Sequence, residues 1–373
     1  MNSRVSIVKC ANYDSALVEA AIREVIDLIG GINRYIKPQS KVLIKPNILM
    51  GKEPESGIDT HPEVVRAVIR VLKDINCRIF VGDSPSVWGK EIENVDEVYR
   101  RSGIASICQE ECVKLVKFDK RRMRKNFPLT TWLDECDYLI NLPKFKTHEL
   151  TLLTGGIKNL FGLVCGTFKT ELHKNYFQVN DFSRMLVDIY EEVKPALTII
   201  DGVIAMEGDG PASSGKLRNL GLLLASSDCV ALDSAMAKII GVNPLDVLTT
   251  KHASERNLGR ADLNSIEILG ESLPDLKIRP FLLPSSSQLS KNLPEPLINL
   301  AKRLIKYRPY PLPKNCTRCA ACIKICPHNC ISMEKQGIVF DYKKCIACFC
   351  CQEACSSAAI KVKKSIIARL IGL

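Results

Sequence analysis

Short apolar runs alternate with longer amphipathic segments over residues 1–270. Six of these runs have the length and the Val, Ile and Leu content of buried strands: Val5–Lys9, Lys41–Lys45, Arg78–Asp83, Tyr138–Leu142, Leu197–Asp201 and Leu220–Ala225. Between them, apolar residues three and four apart predict helices over Ser15–Ile29, Pro62–Ile75 and Ser227–Ile240. Buried strands separated by helices are typical of a mostly parallel sheet covered on both faces. Residues 1–270 are therefore predicted to form an α/β domain.

The alternating pattern ends at about Glu271, where the proline content rises. Eight of the 19 prolines lie between Pro274 and Pro313, which predicts a linker over residues 271–313. Within this linker, Pro296–Arg308 has apolar residues three and four apart and is predicted to be an amphipathic helix. Its basic side is either a solvated face or a surface for an anionic membrane or an acidic partner.

A short internal repeat follows the linker and contains most of the cysteines. Ten of the 17 cysteines lie between Cys316 and Cys355. Lys314–Ile331 matches Lys343–Ile360 without a gap, and each half has the spacing C-x2-C-x2-C-x3-C. This pattern resembles the bacterial two-cluster ferredoxin domain, in which the fourth cysteine of each half ligates the cluster of the other half. We therefore expect a small α+β ferredoxin-like domain over residues 314–362.

The crossed pattern assigns four cysteines to each of two [4Fe–4S] clusters. The predicted ligands are Cys316, Cys319, Cys322 and Cys355 for the first cluster, and Cys345, Cys348, Cys351 and Cys326 for the second. Zinc is the rival metal because C-x2-C pairs also form zinc sites, but eight cysteines in this doubled spacing favour iron and sulfur. Cys330 and Cys350 are additional. They are either small buried residues beside the clusters or alternative ligands and oxidation sites.

The charge distribution indicates an acidic partner. The chain has 52 Lys and Arg residues against 41 acids, a formal charge of +11, and residues 314–373 account for +7 of it. Two oxidised clusters with their thiolates would lower that local charge to about +3. We expect this part of the chain to dock an acidic electron donor or acceptor protein. The basic tail over residues 363–373 lacks interleaved aromatic residues, so nucleic acid is not expected as a partner.

No segment of the sequence has the pattern of a signal peptide or of a membrane span. The first residues contain no apolar run, and the longest weakly charged stretch, Leu150–Phe168, includes Lys158, Asn159 and four glycines. We expect a cytoplasmic protein without a transmembrane segment. In a reducing compartment, clustered cysteines hold metal rather than form disulfides.

Polar residues follow four of the predicted strands at the point where each strand ends. They are Lys45 and Asn47, then Asp83 and Ser84, then Lys144, Lys146 and His148, and finally Asp201. Since the carboxyl ends of parallel strands line the ligand crevice of an open α/β sheet, these side chains are expected to converge. Gly155 and Gly156 precede a further helix with Lys158 and Asn159 in its first turn, which favours an anion at the helix start. The sequence therefore predicts a crevice for a small anionic substrate or cofactor.

We assign two roles within this crevice. The catalytic candidates are Lys144, His148 and His173, since a lysine stabilises developing negative charge and a histidine supplies protons. The substrate-binding candidates are Lys45, Asn47, His61, Asp83, Ser84, Lys146, Lys158, Asn159, Asp201 and Asp233. His61 is alternatively a neighbour of the helix cap before Pro62, and Asp201 is alternatively a loop cap. The sequence leaves open a further, unidentified cofactor in the α/β domain.

An ordered set of motifs extends over nearly the whole chain. It comprises VLIKPN (Val42–Asn47), THPEVV (Thr60–Val65), VGDS (Val81–Ser84), LPKFKTH (Leu142–His148), TGGIKNLFG (Thr154–Gly162), His173, DGVIAMEGDGP (Asp201–Pro211) and SDCVALD (Ser227–Asp233). Together these motifs resemble the family named domain of unknown function 362, whose members often carry a two-cluster ferredoxin domain at the C-terminus. The resemblance implies an iron–sulfur protein assigned to electron transfer, and it names no reaction.

Three functions are compatible with these features. The first is a redox enzyme, in which the two clusters pass single electrons to an anion in the crevice. The second is a non-catalytic electron carrier or assembly partner, with the α/β domain as a docking platform. The third is a non-redox enzyme, such as a ligase, lyase or metal-dependent transferase, with structural or sensing clusters. The position of the cysteine repeat relative to the crevice bears directly on the first of these.

Overall fold

The computed structural model describes residues 3–85, 94–285 and 307–364. Twelve strands lie before residue 271: β1 (Ser3–Lys9), β2 (Lys41–Pro46), β3 (Arg78–Val81), β4 (Lys114–Leu115), β5 (Arg121–Arg124), β6 (Phe127–Thr130), β7 (Tyr138–Leu142), β8 (Lys144–His148), β9 (Leu152–Leu153), β10 (Leu197–Gly208), β11 (Gly215–Ser226) and β12 (Ile266–Gly270). Within these ranges no helix is both long and apolar enough to cross a membrane.

Ten of these strands form one large sheet. Its order is β12-β1-β11-β10-β7-β2-β3-β4, and β8 pairs with both β10 and β9. Most neighbours are parallel, but β11 runs antiparallel to β1 and β10, and β9 runs antiparallel to β8. The prediction of an α/β fold with a mostly parallel sheet is therefore confirmed. Strands β2, β3, β7 and β10 all run in the same direction, so their carboxyl ends lie at one edge.

Ten α-helices accompany the sheet in these described residues: α1 (Ser15–Leu28), α2 (Pro62–Asp74), α3 (Val95–Arg101), α4 (Ile104–Glu110), α5 (Trp132–Glu135), α6 (Gly156–Asn159), α7 (Phe168–Asn175), α8 (Val179–Val193), α9 (Cys229–Ile240) and α10 (Leu248–Glu255). The three helices expected from the apolar spacing match α1, α2 and α9 to within about two residues, the usual uncertainty of helix ends.

Helices cover both faces of the sheet. Val42 and Ile44 of β2 belong to a hydrophobic core that also contains the buried faces of α1 and α2. Leu43, between them, belongs to a second core with Leu186 and Ile189 of α8. Successive strand residues point to opposite faces, so an uninterrupted apolar run is what a doubly covered strand requires.

The predicted linker is partly built into the fold. Its first part, through residue 285, packs on the sheet: Phe281 and Leu283 are buried, and the Phe281 ring lies 5.6 Å from that of Phe145. The predicted helix Pro296–Arg308 falls largely outside the described residues. Its last two residues are not helical, because Tyr307–Pro311 forms strand β13, which corrects that part of the prediction.

A small α+β unit follows. It consists of β13, α11 (Ala321–Ile325), β14 (Ile331–Glu334), β15 (Gly337–Phe340), α12 (Cys350–Glu353) and β16 (Ile360–Lys364). β13 pairs antiparallel with β16, and β14 with β15. Strand β13 lies before Lys314, the first residue of the predicted ferredoxin-like domain, and β16 includes the first two residues of the predicted basic tail. The linker residues pair with the tail, and sequence spacing alone does not reveal such long-range pairing.

Candidate functional site

A pocket lies where β2 and β3 end. Lys45 near the end of β2, Asn47 just after it, and Asp83 and Ser84 just after β3 line this pocket, as the strand-end pattern predicts. Residues in and around α6 and α7 form further walls, among them Lys158, Asn159, Lys169 and His173. The last wall is Glu353 of α12, from the cysteine-containing unit. The pocket therefore lies between the two parts of the chain.

Lys45 and Asp83 form a buried ion pair in the pocket wall. Lys45 Nζ lies 2.9 Å from Asp83 Oδ1, and both side chains are almost completely buried. Asp83 also accepts hydrogen bonds from the N–H groups of Ile48 and Ser84, both at 2.8 Å. Burial lowers the pKa of Lys45, and the attraction of Asp83 opposes that shift. This lysine is thus largely neutralised by its partner, and the pair shapes the wall rather than attracting a ligand.

Lys158 is the cation with the fewest contacts in the pocket. Among the residues that the structure describes, its ammonium group makes no hydrogen bond and has no acid within 4 Å. Burial lowers its pKa, and the more distant carboxylate of Glu353 is the first influence that opposes this. An ammonium group in this position is available to an anion, as the sequence predicts for Lys158.

Lys169 adds a second positive charge. Its Nζ donates a hydrogen bond to the backbone oxygen of Ser84, and burial lowers its pKa to about 8. Asp83 opposes that shift and Lys45 reinforces it. The pocket therefore contains three lysines and two carboxylates, those of Asp83 and Glu353, and has a positive balance.

Several polar atoms of the pocket are buried and lack a hydrogen-bond partner among the described residues. They are Asn47 Oδ1, Thr154 Oγ1 and His173 Nδ1. The His173 ring stacks on Phe182 at 4.4 Å and meets Phe161 edge-on at 5.5 Å, so aromatic packing fixes its orientation. Burial lowers the pKa of His173 to about 4, which keeps the ring neutral at pH 7. A bound polar ligand would satisfy these atoms, whose burial is otherwise unfavourable.

Asn159 supports the same wall. Its Nδ2 donates to Asn141 Oδ1 at 2.8 Å, and its Oδ1 lies 3.4 Å from Lys45 Nζ. Both ends of the amide are thus used within the protein. Asn159 lies at the pocket as predicted, and its contacts are those of a residue that positions Lys45.

Lys144, Asp201 and His61 form a separate network that does not line this pocket. Lys144 Nζ lies 2.8 Å from Asp201 Oδ2 and donates to the Tyr13 hydroxyl at 2.5 Å. Asp201 also accepts from Tyr13 and from the His61 N–H, at 2.8 and 2.9 Å. Within the described residues these groups satisfy one another. The contacts therefore favour a structural role for Lys144 over the predicted catalytic one.

His61 is the N-terminal cap of α2. Its Nδ1 accepts the N–H of Glu63 at 3.2 Å, and its ring stacks on Tyr13 at a centroid distance of 3.6 Å. Burial lowers the pKa of His61 to about 4. The sequence left open that His61 is a neighbour of the helix cap, and the structure makes His61 itself the cap.

Lys146 is buried beside Asp59. Its Nζ donates to the backbone oxygen of Ile58 at 2.7 Å. Burial lowers the pKa of Lys146 and raises that of Asp59, each to about 7. Lys146 does not line the pocket, so the structure does not support the predicted contact between Lys146 and a substrate in this pocket.

His148 links the sheet to the cysteine-containing unit. Its Nδ1 accepts from the N–H of Leu150 at 3.1 Å, which assigns the ring proton to Nε2. That Nε2 lies 3.2 Å from Glu353 Oε1, although the contact is not aligned as a hydrogen bond. Burial lowers the pKa of His148 to about 4. Burial alone would raise the pKa of Glu353, but His148 and the pocket cation Lys158 lower it to about 2.

Asp233 occupies the position that was predicted for a bound anion. Its carboxylate accepts the N–H groups of Gly156 and Ile157 at 2.6 and 3.2 Å, so it caps α6 from within the protein. A Cβ at Gly155 would lie only 2.1 Å from Asp233 Oδ1, so glycine is required there. The start of α6 is therefore closed to a ligand, which corrects the expectation for this helix and for Asp233.

Lys169 and Glu353 are pocket residues that the sequence analysis did not select. Lys169 precedes His173 by four residues and so lies on the same face of a helix, a spacing that could have revealed it. Glu353 lies between Cys351 and Cys355, two of the predicted cluster ligands. Nothing local predicts that this glutamate reaches a pocket formed by residues much earlier in the chain.

The repeat of the cysteine-containing unit is also a repeat of its backbone. Three pairs of non-glycine residues have positive φ at equivalent positions of the two halves: Arg318 and Ala347, Ala320 and Phe349, and Asn329 and Ala358. Left-handed residues within such loops turn successive N–H groups into a concavity, a geometry used at many iron–sulfur sites. Consistent with this, the N–H groups of Cys330 and Ala359 donate to Cys326 Sγ and Cys355 Sγ, at 3.3 and 3.1 Å.

One cavity is lined by the four cysteines that were predicted for the second cluster, Cys326, Cys345, Cys348 and Cys351, together with Cys330. In the other set, burial followed by repulsion from Cys355, Cys319 and Cys316 raises the pKa of Cys322 to about 11.

In the described ranges, no group of three or more His, Cys, Asp or Glu side chains is arranged to hold a single metal ion. A four-iron cluster instead takes four sulfurs spread around a larger core, so the lack of a single-ion site in these residues does not bear on a cluster. Iron–sulfur binding stays a prediction.

Helix α12 joins the cysteine repeat to the pocket. It begins with Cys350 and Cys351 and ends at Glu353 in the pocket wall. Further hydrogen bonds hold this region against the α/β part: Gln352 Nε2 donates to the backbone oxygen of Asp209 at 3.5 Å, and both Ser213 Oγ and Lys52 Nζ donate to that of Ser356 at 3.2 Å. The cysteines and the pocket are therefore adjacent.

Comparison with known proteins places part of this chain in a family. Residues 42–238 match a family described as "Domain of unknown function (DUF362)". The thylakoid-associated protein sll1697 of Synechocystis sp. (strain ATCC 27184 / PCC 6803 / Kazusa) is 33% identical over 266 residues, which cover 69% of this chain and 80% of that protein. A solved structure of loganic acid methyltransferase with SAH covers 81% of this chain and 73% of its own, at 12% identity and a TM-score of 0.26. That likeness is too low to bear on fold or function. The matched residues extend over more than half of the chain, from β2 to α9, and the chain belongs to the DUF362 family.

Proposed function

We propose that the protein is an iron–sulfur redox enzyme that transfers single electrons to a small anion in the pocket between its two parts. The electrons would come from two [4Fe–4S] clusters. Cys316, Cys319, Cys322 and Cys355 would hold one cluster, and Cys345, Cys348, Cys351 and Cys326 the other. When bound, such clusters supply one electron at a time, often at low potential.

The observation that carries this proposal is the position of Glu353. It lies two residues from both Cys351 and Cys355, and its side chain forms part of the pocket wall. A ligand in the pocket would thus be next to the helix that bears cluster cysteines. A simple electron carrier has no need of a built pocket at this point, which favours the enzyme over the non-catalytic alternatives.

The pocket residues suit a ligand that gains negative charge. The unpaired Lys158 ammonium would bind the anion, and Lys169 would add to the positive potential. Because Lys169 is buried and Lys158 is only partly exposed, they would stabilise an added electron more strongly than water does. The Lys45–Asp83 pair would hold the wall in place.

His173 is the residue placed to handle a proton. It is neutral at pH 7, and its unpartnered Nδ1 either donates or accepts a hydrogen bond, depending on the tautomer. A ligand that becomes more basic on reduction could take a proton through this ring. His148 faces Glu353 and acts at the boundary between the parts, so we assign it to positioning α12.

The first test is the metal content of the full chain purified without oxygen. Two clusters predict about eight irons and eight acid-labile sulfides per chain, with the electron paramagnetic resonance signals of reduced [4Fe–4S] centres. A chain without iron, or with zinc, would overturn the electron-transfer proposal.

The second test concerns the pocket. Inorganic phosphate, sulfate and small carboxylates are titrated calorimetrically into the wild type, Lys158→Met and Lys174→Met. Lys174 is exposed on α7, so its replacement makes the same charge change away from the pocket. We expect binding of at least one anion that Lys158→Met weakens at least tenfold and Lys174→Met leaves intact. Intact clusters without any binding that depends on Lys158 would instead favour a non-catalytic carrier.

A further inference from the structure

The two halves of the cysteine repeat differ at one position next to a predicted ligand. Cys330 follows Cys326 by four residues, and its counterpart in the second half is Ala359, which follows Cys355 by four. Both residues are buried, and both backbone N–H groups donate to the sulfur of the preceding cysteine. The backbone is thus the same in each half, while the side chain is a thiol in one and a methyl group in the other.

The Cys330 thiol reaches a ligand sulfur. Its Sγ lies 3.2 Å from Cys326 Sγ, within hydrogen-bond distance for two sulfurs, and it lines the same cavity as Cys345, Cys348 and Cys351. A cluster takes one sulfur from each of four cysteines, so this cavity contains one cysteine too many. Cys326 would be a thiolate when it ligates iron, and Cys330 would then have to be the donor of this bond.

We propose that Cys330 is a positioning residue whose S–H group donates a hydrogen bond to the Cys326 sulfur and raises the reduction potential of the second cluster above that of the first. The inference rests on the proposed function, since it requires that both clusters bind. Reduction adds negative charge, which spreads onto the ligand sulfurs, and a hydrogen bond to one of them stabilises the reduced state. At Cys355 the methyl group of Ala359 offers no such bond.

The other additional cysteine does not have the same position. Cys350 is buried, but it does not line the cavity, and its Sγ lies 4.0 Å from the backbone oxygen of Cys348. Its counterpart in the first half is Ala321. The Cys350 thiol also interacts with that of Cys348, but Cys330 is the additional cysteine whose Sγ has a defined hydrogen-bond distance to a ligand sulfur in the described residues.

The test is film voltammetry of the full chain, purified without oxygen, with iron content measured on each sample. The wild type should give two reduction waves. Cys330→Ala should lower the potential of one wave and leave the other in place, at unchanged iron content. Cys330→Ser keeps an O–H donor in the same position, so the reduction potential of that wave should lie close to the wild-type value. Cys112→Ala removes an exposed thiol far along the chain and should move neither wave.

The reciprocal variant Ala359→Cys adds a thiol in the first half and should raise the other wave. Full iron content with both waves unmoved in Cys330→Ala would overturn this inference and leave the proposed function standing. Loss of half the iron in Cys330→Ala would show that Cys330 is itself a ligand, which also overturns it. A wild type without iron would refute the proposed function as a whole.

Discussion

Replacing Lys144 with methionine separates a structural lysine from a ligand-binding one. Lys144 and Asp201 are almost completely buried, and their charged atoms lie 2.8 Å apart. Removing one partner of such a pair costs about 3–5 kcal/mol because the other charge stays buried without compensation. Asp201 keeps the donors Tyr13 and His61, so we expect the lower end, about 3 kcal/mol. That corresponds to roughly 6–12 °C in melting temperature.

Lys158→Met makes the same chemical change with the opposite expectation. No described acid lies within 4 Å of this ammonium, and burial lowers its pKa, so the charge itself disfavours the folded state. Its removal should leave the melting temperature unchanged or slightly higher, while anion binding is lost. Thermal unfolding followed by far-ultraviolet circular dichroism compares the two variants with the wild type.

A double variant completes this experiment. Lys144→Met combined with Asp201→Asn removes both charges, and the amide oxygen of asparagine still accepts a hydrogen bond from Tyr13 or His61. It should recover part of the stability that Lys144→Met loses, because no buried charge remains unpaired. Equal melting temperatures for Lys144→Met and the wild type would refute the reasoning. So would a double variant that is less stable than the sum of its single changes.

Three further predictions follow from the same contacts. Acidification should destabilise the protein because burial lowers the pKa of His173 to about 4, whereas an unfolded histidine titrates near 6.5. The unfolded chain then binds the additional proton between these values, so this group alone removes about 2 kcal/mol by pH 5. Between pH 7 and pH 5, the free energy of unfolding should fall by about 2 kcal/mol less for His173→Phe than for the wild type, as measured by paired urea titrations. An equal fall in both proteins would contradict the assignment. Gly162→Ala should lower both stability and anion affinity, since a Cβ there would lie 2.2 Å from Asp83 Oδ1 and 2.4 Å from Lys45 Nζ. A melting temperature equal to that of the wild type would count against this prediction. Reduction by an acidic donor protein should slow as salt rises, because residues 314–373 have a formal charge of +7, and a stopped-flow rate that ignores salt would exclude that docking mode.

The sequence predicted the features that depend on neighbouring residues. Val42, Leu43 and Ile44 form an apolar run because each packs against a helix on one face or the other, and such runs revealed most of the parallel strands. The internal repeat of the sequence is also a repeat of backbone conformation, as the paired positive-φ residues show. Strand direction then brought Lys45 and Asp83 to one edge, as expected.

Tertiary structure alone decided which of these polar residues pair with one another. From the sequence, Lys144 and Lys158 are both lysines of the predicted crevice, yet one meets Asp201 of another strand and the other meets no acid in the described residues. Asp233 closes the helix start that a ligand was expected to occupy, and Glu353 completes a pocket formed mostly by residues at the ends of β2 and β3 and in and around α6 and α7. Hydrophobic periodicity is local and can be recognised along the chain. The partner of a buried charge is set by which distant segments pack together, and that depends on the whole fold.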